Sequence, residues 1–305
     1  MGNLRTALLA WLFARSTHGQ FVLRIEDLDR PRVRSGVTQT MLTDLHWLGL
    51  DWDEGPDRDG PYAPYTQSER LDIYRHYIHQ LRDANLIYPC YCSRAEVAHA
   101  ASAPQQGAND GPRYPGTCRQ LTPKQCRQHE ASGRRPALRF RVDASRAVTF
   151  TDLVQGTMTQ YVQQVAGDFI VCRADGIMAY QFAVVVDDAL MHINQVVRGD
   201  DLLTSTARQI LLYEALDFPI PTFAHVPLLV DQQGKRLSKR TASTGLAPLR
   251  ALGMTPEQVV GDLAASCGLV ENGEHVGARV LTQRYQTGVF PLQNTRYPLH
   301  SQQEK

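Results

Sequence analysis

The sequence predicts an α/β protein built on a doubly wound parallel sheet, with a small metal-binding insertion and a short helical C-terminal part. Three observations predict it. Helix-period and strand-type segments alternate through the first 87 residues and again beyond residue 165, the pattern of strands joined by helical crossovers. A stretch from about Tyr88 to Arg135 breaks that alternation with crowded cysteine, proline, glycine and polar residues. Two apolar runs end in charged loops, where open α/β sheets place their ligands.

The bulk numbers set the bounds. A chain of 305 residues can bury a substantial core, and 43% hydrophobic with 21% charged residues is ordinary for a globular protein. No apolar run approaches the ~18 residues of a membrane helix, and the start carries no secretory pattern. A cytoplasmic, monomeric enzyme is expected. The net charge of +1 neither requires nor excludes nucleic acid, since local patches can bind phosphate when the total is near neutral. Six cysteines in a chain of this length do not read as a secreted disulfide scaffold.

Leu4, Leu8, Trp11, Leu12 and Arg15 recur at helical spacing, with His18-Gly19 as a stop. Phe21-Val22-Leu23-Arg24-Ile25 reads as a buried strand running into the acidic loop Glu26-Asp27-Leu28-Asp29-Arg30. Helices are predicted from Val37 to Leu48 and from Ser68 to Ala84. Ala103 to Gly111 reads as a loop inside the insertion. Strands resume at Leu138 to Val142 and Asp168 to Arg173. Ala174-Asp175-Gly176 makes a hairpin turn into a return strand from Met178 to Val186. Ile193 to Val197 is a further strand, ending at Arg198-Gly199-Asp200-Asp201. The last thirty or so residues are polar and weakly patterned. Expected domains are 1–87 and 166–230 as the two halves of a catalytic domain, 88–165 as the insertion, and 231–305 as a basic loop with a short tail.

Cys90-Tyr91-Cys92 followed by Tyr114-Pro115-Gly116-Thr117-Cys118 is the sharpest local chemistry. Thiolates suit zinc, which takes four ligands tetrahedrally, and a metal would stabilise a segment with little apolar content of its own. The single residue between Cys90 and Cys92 is tighter than the usual spacing of about two to four. Spacing leaves Cys126, His129 and Tyr114 open as the fourth ligand.

Gly234-Lys235-Arg236-Leu237-Ser238-Lys239-Arg240 packs four cations and a hydroxyl into seven residues after the apolar run Val226 to Val230. A glycine-hinged basic loop can close over a polyphosphate; a solvated surface run is the bland alternative. Glu26 follows a strand, where a carboxylate can hold an amino group or cap a loop. Arg198 also follows a strand, and its planar fork can grip a carboxylate bidentately or pair with Asp200 or Asp201. Tyr180, placed on the return strand, reads as core.

Taken together these segments resemble one family. Gly2-Asn3-Leu4-Arg5-Thr6-Ala7-Leu8, Arg24-Ile25-Glu26-Asp27-Leu28-Asp29, Arg198-Gly199-Asp200-Asp201-Leu202-Leu203 and Arg236-Leu237-Ser238-Lys239-Arg240 match glutamyl-tRNA synthetases in order and spacing. These are class I aminoacyl-tRNA synthetases with a Rossmann-like sheet, and the last segment is a form of their KMSKS motif. The region after it is too short for the helical anticodon-binding part of full-length members. The chain is therefore more similar to the short branch of the family, which attaches glutamate to queuosine at the wobble position of tRNA(Asp).

The resemblance implies ATP with Mg2+, L-glutamate and queuosine-bearing tRNA(Asp) as partners. It implies that Glu26, Tyr180 and Arg198 contact glutamate, with Glu26 on the amino group and Arg198 on a carboxylate. Gly2, Asn3, Arg236, Leu237, Ser238, Lys239 and Arg240 would bind ATP, and Lys239 would neutralise its phosphates as the catalytic cation. It also implies Cys90, Cys92, Tyr114 and Cys118 as the ligands of one structural zinc ion, the choice of Tyr114 coming from the resemblance alone.

One motif departs from the pattern. Met1-Gly2-Asn3 aligns with the last three positions of the family's HIGH tetrapeptide, so its histidine and the strand before it would fall ahead of residue 1. The expectation is that Met1 is internal to a longer reading frame, and that the chain from Met1 alone forms adenylate poorly. Two competing readings follow: a discriminating glutamyl-tRNA synthetase that charges the tRNA 3′ end, and a non-catalytic, zinc-bearing RNA-binding relic.

Overall fold

The computed structural model describes residues 1–29, 36–58, 60–100, 112–230, 246–285, 290 and 295–296. The expected loop Ala103 to Gly111 and the basic motif Arg236 to Arg240 lie outside the described residues.

Helix α1 (Gly2–Ser16) forms where the spacing of Leu8, Trp11 and Leu12 predicts it, and those side chains are buried. Its buried face is fixed by polar contacts at the far end. Trp11 Nε1 donates to Asp51 Oδ1 at 2.9 Å, and Arg15 pairs with Asp51 at 3.0 Å and Asp53 at 2.7 Å. His18, at φ 55°, turns the chain out of the helix, and the Gly19 N–H returns to the Ala14 carbonyl at 2.8 Å.

The segment from Phe21 to Ile25 is extended but is not the continuous strand predicted. It makes two isolated parallel bridges, Val22 with Glu54 and Ile25 with Thr66. Its partner chain, residues 53–66, carries Pro56, Gly60, Pro61 and Pro64. Prolines cannot donate to a ladder, so pairing survives only at the two ends. Helices α2 (Val37–Trp47) and α3 (Leu71–Asp83) occupy the predicted spans.

Next come β1 (Ile87–Cys90), α4 (Arg94–Ala100), α5 (Pro123–Ala131) and β2 (Ala137–Phe140). They are followed by β3 (Val148–Asp152), β4 (Gly156–Gln160), α6 (Val162–Val165) and β5 (Ile170–Cys172). The turn at Ala174-Asp175-Gly176 is present, with Arg173 N–H bonded to the Ile177 carbonyl at 2.8 Å. The predicted return strand is not. It shrinks to one antiparallel bridge between Cys172 and Met178, and the chain enters helix α7 (Tyr180–Leu190). Every residue from Phe182 to Ala189 is buried, so the apolar run carries no period. A run buried on all sides cannot distinguish strand from helix. Tyr180 accordingly opens a helix rather than sitting in a hairpin.

The strand β6 (Gln195–Gly199), helix α8 (Leu203–Ala215) and strand β7 (Thr222–Val226) form a parallel crossover unit with Arg198 beside His225 in register. This part of the parallel prediction holds. Elsewhere the expected doubly wound sheet is replaced by mixed sheets. The order β4-β3-β7-β6 joins parallel β3/β7 and β6/β7 pairs to an antiparallel β3/β4 hairpin. A separate β1-β2-β5 sheet is antiparallel throughout. In it β1 and β2 pair from Ile87 with Phe140 to Cys90 with Ala137. A short parallel pair links β8 (Leu229–Val230) to β9 (Thr295–Arg296).

Among the described residues two large apolar cores form, beside a small one around Tyr88, Cys90 and Tyr114. One packs α7 and α8 against both sheets through residues such as Phe140, Val171, Phe182 and Leu212. The other joins α1 to the C-terminal helices α9 (Leu246–Ala251), α10 (Pro256–Ala265) and α11 (Ala278–Arg284) through Leu8, Leu12, Leu263 and Leu281. Burial of each such leucine is worth about 1.5–3 kcal/mol. Helix α10 starts on a capping box, with Thr255 and Gln258 bonded reciprocally and Pro256 in the first turn. Among the described residues no helix is long and apolar enough to cross a membrane.

Candidate functional site

A cleft of about 510 Å³ opens between residues 19–24, α7 and β6, the edge strand of its sheet. Glu26, Tyr180 and Arg198 all line it. They come from three elements: the loop after the extended segment, the first residue of α7, and the C-terminal end of β6. Gly2 and Asn3, in the first turn of α1, do not line this cleft.

Sequence reasoning missed the charge network beneath these residues. Arg24 Nη2 lies 3.1 Å from Glu26 Oε1 and 2.8 Å from Asp188 Oδ1. Desolvation opposes the Arg24 charge, but Asp188, Glu26 and Asp187 outweigh it and raise its pKa. Burial pushes the Glu26 carboxyl above the usual range, with Arg24 pulling the other way. Asp188 is likewise raised, chiefly by burial. The Tyr180 phenol is pushed up to about 12 by desolvation and then by Glu26. The cleft therefore presents carboxylates and guanidinium groups side by side, the complement of a zwitterion.

Under the cleft floor, fully buried Asp187 accepts from Gln67 Nε2 at 2.8 Å, Arg70 Nε at 2.7 Å and Tyr74 OH at 2.8 Å. Its signal in the sequence was two consecutive acids, Asp187-Asp188, inside an otherwise apolar run. Such acids persist in a core only when they are paired.

Arg198 is 8% exposed, and its guanidinium is largely committed. Nε donates to His225 Nε2 at 2.9 Å, and Nη2 donates to Thr206 Oγ1 at 2.9 Å and Gln209 Oε1 at 2.7 Å. Among the described residues Nη1 has no hydrogen-bond partner. The bidentate grip predicted from the sequence is thus not available from Nε and Nη2. What the side chain offers to the cleft is Nη1 with its two N–H groups.

The cysteine set forms a second centre. The sulfurs of Cys90, Cys92 and Cys118 lie within 4.8 Å of one another, Cys92 and Cys118 being 3.5 Å apart. The Tyr114 hydroxyl stands 3.3 Å from Cys90 Sγ and 3.9 Å from Cys92 Sγ. A tetrahedral zinc ion with its usual bond lengths has S–S edges of about 3.8 Å and S–O edges of about 3.5 Å. The separations of 3.3, 3.5 and 3.9 Å lie within about 0.4 Å of those edges, so this donor set suits a zinc ion. Burial and the neighbouring Cys90 push the Cys92 thiol up to about 12, and a cation would relieve that mutual repulsion. Arg139 donates to Cys90 Sγ at 3.2 Å and lies over the Tyr114 ring at 3.7 Å. Of the other two candidates, His129 stacks on Tyr91 at 4.8 Å, and neither it nor Cys126 joins the cluster.

Comparison with known proteins assigns the family. Residues 1–275 match the model of the class I tRNA synthetase (E and Q) catalytic domain. The chain is 51% identical over 298 residues to a glutamyl-Q tRNA(Asp) synthetase of Symbiobacterium thermophilum, covering 98% of this chain and 92% of that protein. It is 44% identical over 298 residues to a glutamate–tRNA ligase of the same organism, spanning 96% of this chain but 60% of that ligase. The crystal structure of a glutamate tRNA ligase from Elizabethkingia meningosepticum, in complex with its amino acid, superposes with a TM-score of 0.83 at 29% identity. That match covers 97% of this chain and 64% of the ligase. The chain belongs to the class I (E and Q) tRNA synthetases, a family of aminoacyl-tRNA ligases.

Proposed function

We propose that the protein activates L-glutamate with ATP and transfers it to queuosine at the wobble position of tRNA(Asp). The observation that carries this reading is the convergence of Glu26, Tyr180 and Arg198 on one cleft. The relative with 51% identity over 98% of the chain, a glutamyl-Q tRNA(Asp) synthetase by name, supports the acceptor.

In this reading the glutamate ammonium sits against the Glu26 carboxylate. One carboxylate of the substrate accepts a hydrogen bond from Arg198 Nη1, and Tyr180 closes the side of the cleft. The α-carboxylate oxygen attacks the α-phosphorus of ATP, and pyrophosphate leaves with the Mg2+ that entered with the nucleotide. Gly2 and Asn3 hold ATP at the start of α1, where the helix end favours phosphate. In the segment Arg236-Leu237-Ser238-Lys239-Arg240 the cations bind the nucleotide, and Lys239 offsets charge developing on the phosphates. A hydroxyl of the queuosine ring then attacks the acyl carbon and loses its proton as AMP departs. Positioning and charge stabilisation carry such a reaction, so no protein nucleophile is required. Cys90, Cys92, Tyr114 and Cys118 hold one zinc ion, which would tie β1 to the loop carrying Cys118 and has no place in the chemistry.

The test is glutamate-dependent ATP–pyrophosphate exchange without tRNA, followed by transfer of labelled glutamate to tRNA(Asp) with and without queuosine. Exchange, and label only on the queuosine-bearing tRNA, is expected. Label on the 3′ end of tRNA(Glu) instead would overturn the acceptor and favour a glutamate–tRNA ligase activity.

A further inference from the structure

Three strands bring together residues that are far apart in the chain. In the parallel β6/β7 register Arg198 lies beside His225, and β3 places Asp152 at the end of the neighbouring pair. His225 is fully buried and Asp152 is 2% exposed. Asp152 Oδ2 lies 2.6 Å from His225 Nδ1, and its carboxylate also accepts the backbone N–H groups of Val154, Gln155 and His225 at 2.9–3.1 Å. Burial opposes the Asp152 charge, but these bonds outweigh it and hold the carboxyl below its ordinary range.

The proton count then fixes the ring. The Nδ1 position faces an ionised carboxylate, so it carries a hydrogen and donates. The Nε2 position faces the Arg198 Nε–H at 2.9 Å, and arginine has no acceptor, so Nε2 must be bare. The Thr206 hydroxyl stands 3.1 Å from the same nitrogen. His225 is therefore neutral and in the Nδ1–H form. The charged groups facing it are Asp152 from β3, Arg198 from β6 and Asp201 after it. Burial comes first in holding its pKa below the ordinary value, with Arg198 acting in the same direction against the two carboxylates.

We propose that Asp152 and His225 are positioning residues for Arg198, the carboxylate orienting the imidazole so that its bare nitrogen locks the guanidinium with only Nη1 turned to the cleft. The inference rests on reading Arg198 as a substrate-binding residue. A guanidinium on an unlocked side chain would sample many rotamers, and glutamate would have to order it on binding. Here Nε is held by His225 and Nη2 by Thr206 and Gln209. The substrate meets a donor that is already placed.

Two measurements on the full chain test this. Nitrogen-15 NMR of histidine-labelled protein, with His225 assigned from His225→Gln, should show a neutral Nδ1–H ring at pH 7; an Nε2–H ring or an imidazolium would overturn the proposal. Calorimetric titration with L-glutamate then compares wild type, Arg198→Ala, Asp152→Asn and the double variant. Asp152→Asn replaces an acceptor oxygen with a donor, which favours the wrong tautomer and sets an N–H against the Arg198 Nε–H. It should weaken glutamate binding by about tenfold, and in the Arg198→Ala background by less than about twofold, because the two act as one unit. A purely structural pair would lower the melting temperature and leave the affinity of folded protein unchanged, and that result overturns the proposal. If Arg198→Ala itself leaves affinity unchanged, the substrate reading of Arg198 fails while the tautomer measurement still reports the ring. Should Asp152→Asn not fold, the wild-type tautomer decides.

Discussion

Replacing Asp187 by asparagine tests whether the cleft floor is held by one buried charge. The carboxylate accepts three bonds of 2.7–2.8 Å, from Gln67, Arg70 and Tyr74, and Arg24 Nε approaches to 3.5 Å. The Arg70 and Arg24 side chains are 2% and 11% exposed, so water can replace little of what they lose. The least costly amide orientation keeps its oxygen on Arg70 and forces the Gln67 amide and Tyr74 hydroxyl to turn round. The negative charge is lost in any orientation. Breaking a buried pair from one side costs about 3–5 kcal/mol. At about 2.1 cal/mol/K per residue, unfolding a 305-residue chain carries an entropy of about 0.6 kcal/mol/K, so the melting temperature should fall by about 5–8 °C. Asp72→Asn is the control. Asp72 also pairs with an arginine, Arg75, but their side chains are 95% and 60% exposed. An exposed pair of that kind is worth at most about 0.5 kcal/mol, under about 1 °C. Differential scanning calorimetry on the two variants decides. If Asp187→Asn melts within about 1 °C of Asp72→Asn, the charge is not what holds α7 to Arg70 and Tyr74.

The remaining predictions concern the metal and the pH dependence. Metal analysis should find one zinc per chain in wild type and in Cys126→Ser, but little in Cys118→Ser, with apo protein losing the fold around Tyr88, Cys90 and Tyr114 because metal binding is folding free energy in so small a core. Equal zinc in the two serine variants would remove the proposed ligand set. Glutamate affinity should decline on acidification from a pH above the ordinary glutamate value of 4.5, since Glu26 is raised by burial and must be ionised to hold an ammonium. The stability linkage has the opposite sign. A carboxyl raised in the folded state binds protons more readily than in the unfolded chain, so protonating Glu26 and Asp188 relieves a folding penalty as pH falls. Titration of glutamate alongside thermal melts should therefore show affinity dropping in a window where these two groups do not lower the melting temperature. Affinity constant down to pH 4.5 would contradict the assignment of Glu26 to the ammonium.

Much of the local structure was legible because local signals dominate it. Helix α1 follows from Leu8, Trp11 and Leu12 on one face, and α2 and α3 from periodic spans of ordinary length. The cysteine cluster was legible down to its three sulfurs, since Cys90, Cys92 and Cys118 need only a turn and one returning loop to meet. The error at Met178 to Val186 had a specific cause: residues packed on every side leave no polar face from which to read a period. The segment at Phe21 was read correctly as extended, but of Phe21 to Ile25 only Ile25 is buried, because the others line the cleft, and its ladder depended on the prolines of a partner 30 residues away.

The sequence by itself determined the family, the chemical types in the cleft and the element types where one face meets water. Four ordered motifs and a handful of charged side chains carry that information without reference to the fold. Tertiary structure decided how those side chains are spent. Arg198 looked free to grip a carboxylate with its whole fork, but Thr206, Gln209 and His225 leave it Nη1. His225 in turn takes its tautomer from Asp152, 73 residues earlier. Sequence spacing encodes contacts one helical turn or one strand pair away. A hydrogen-bond chain crossing three strands depends on register and sheet order, and these emerge only when the whole core has packed.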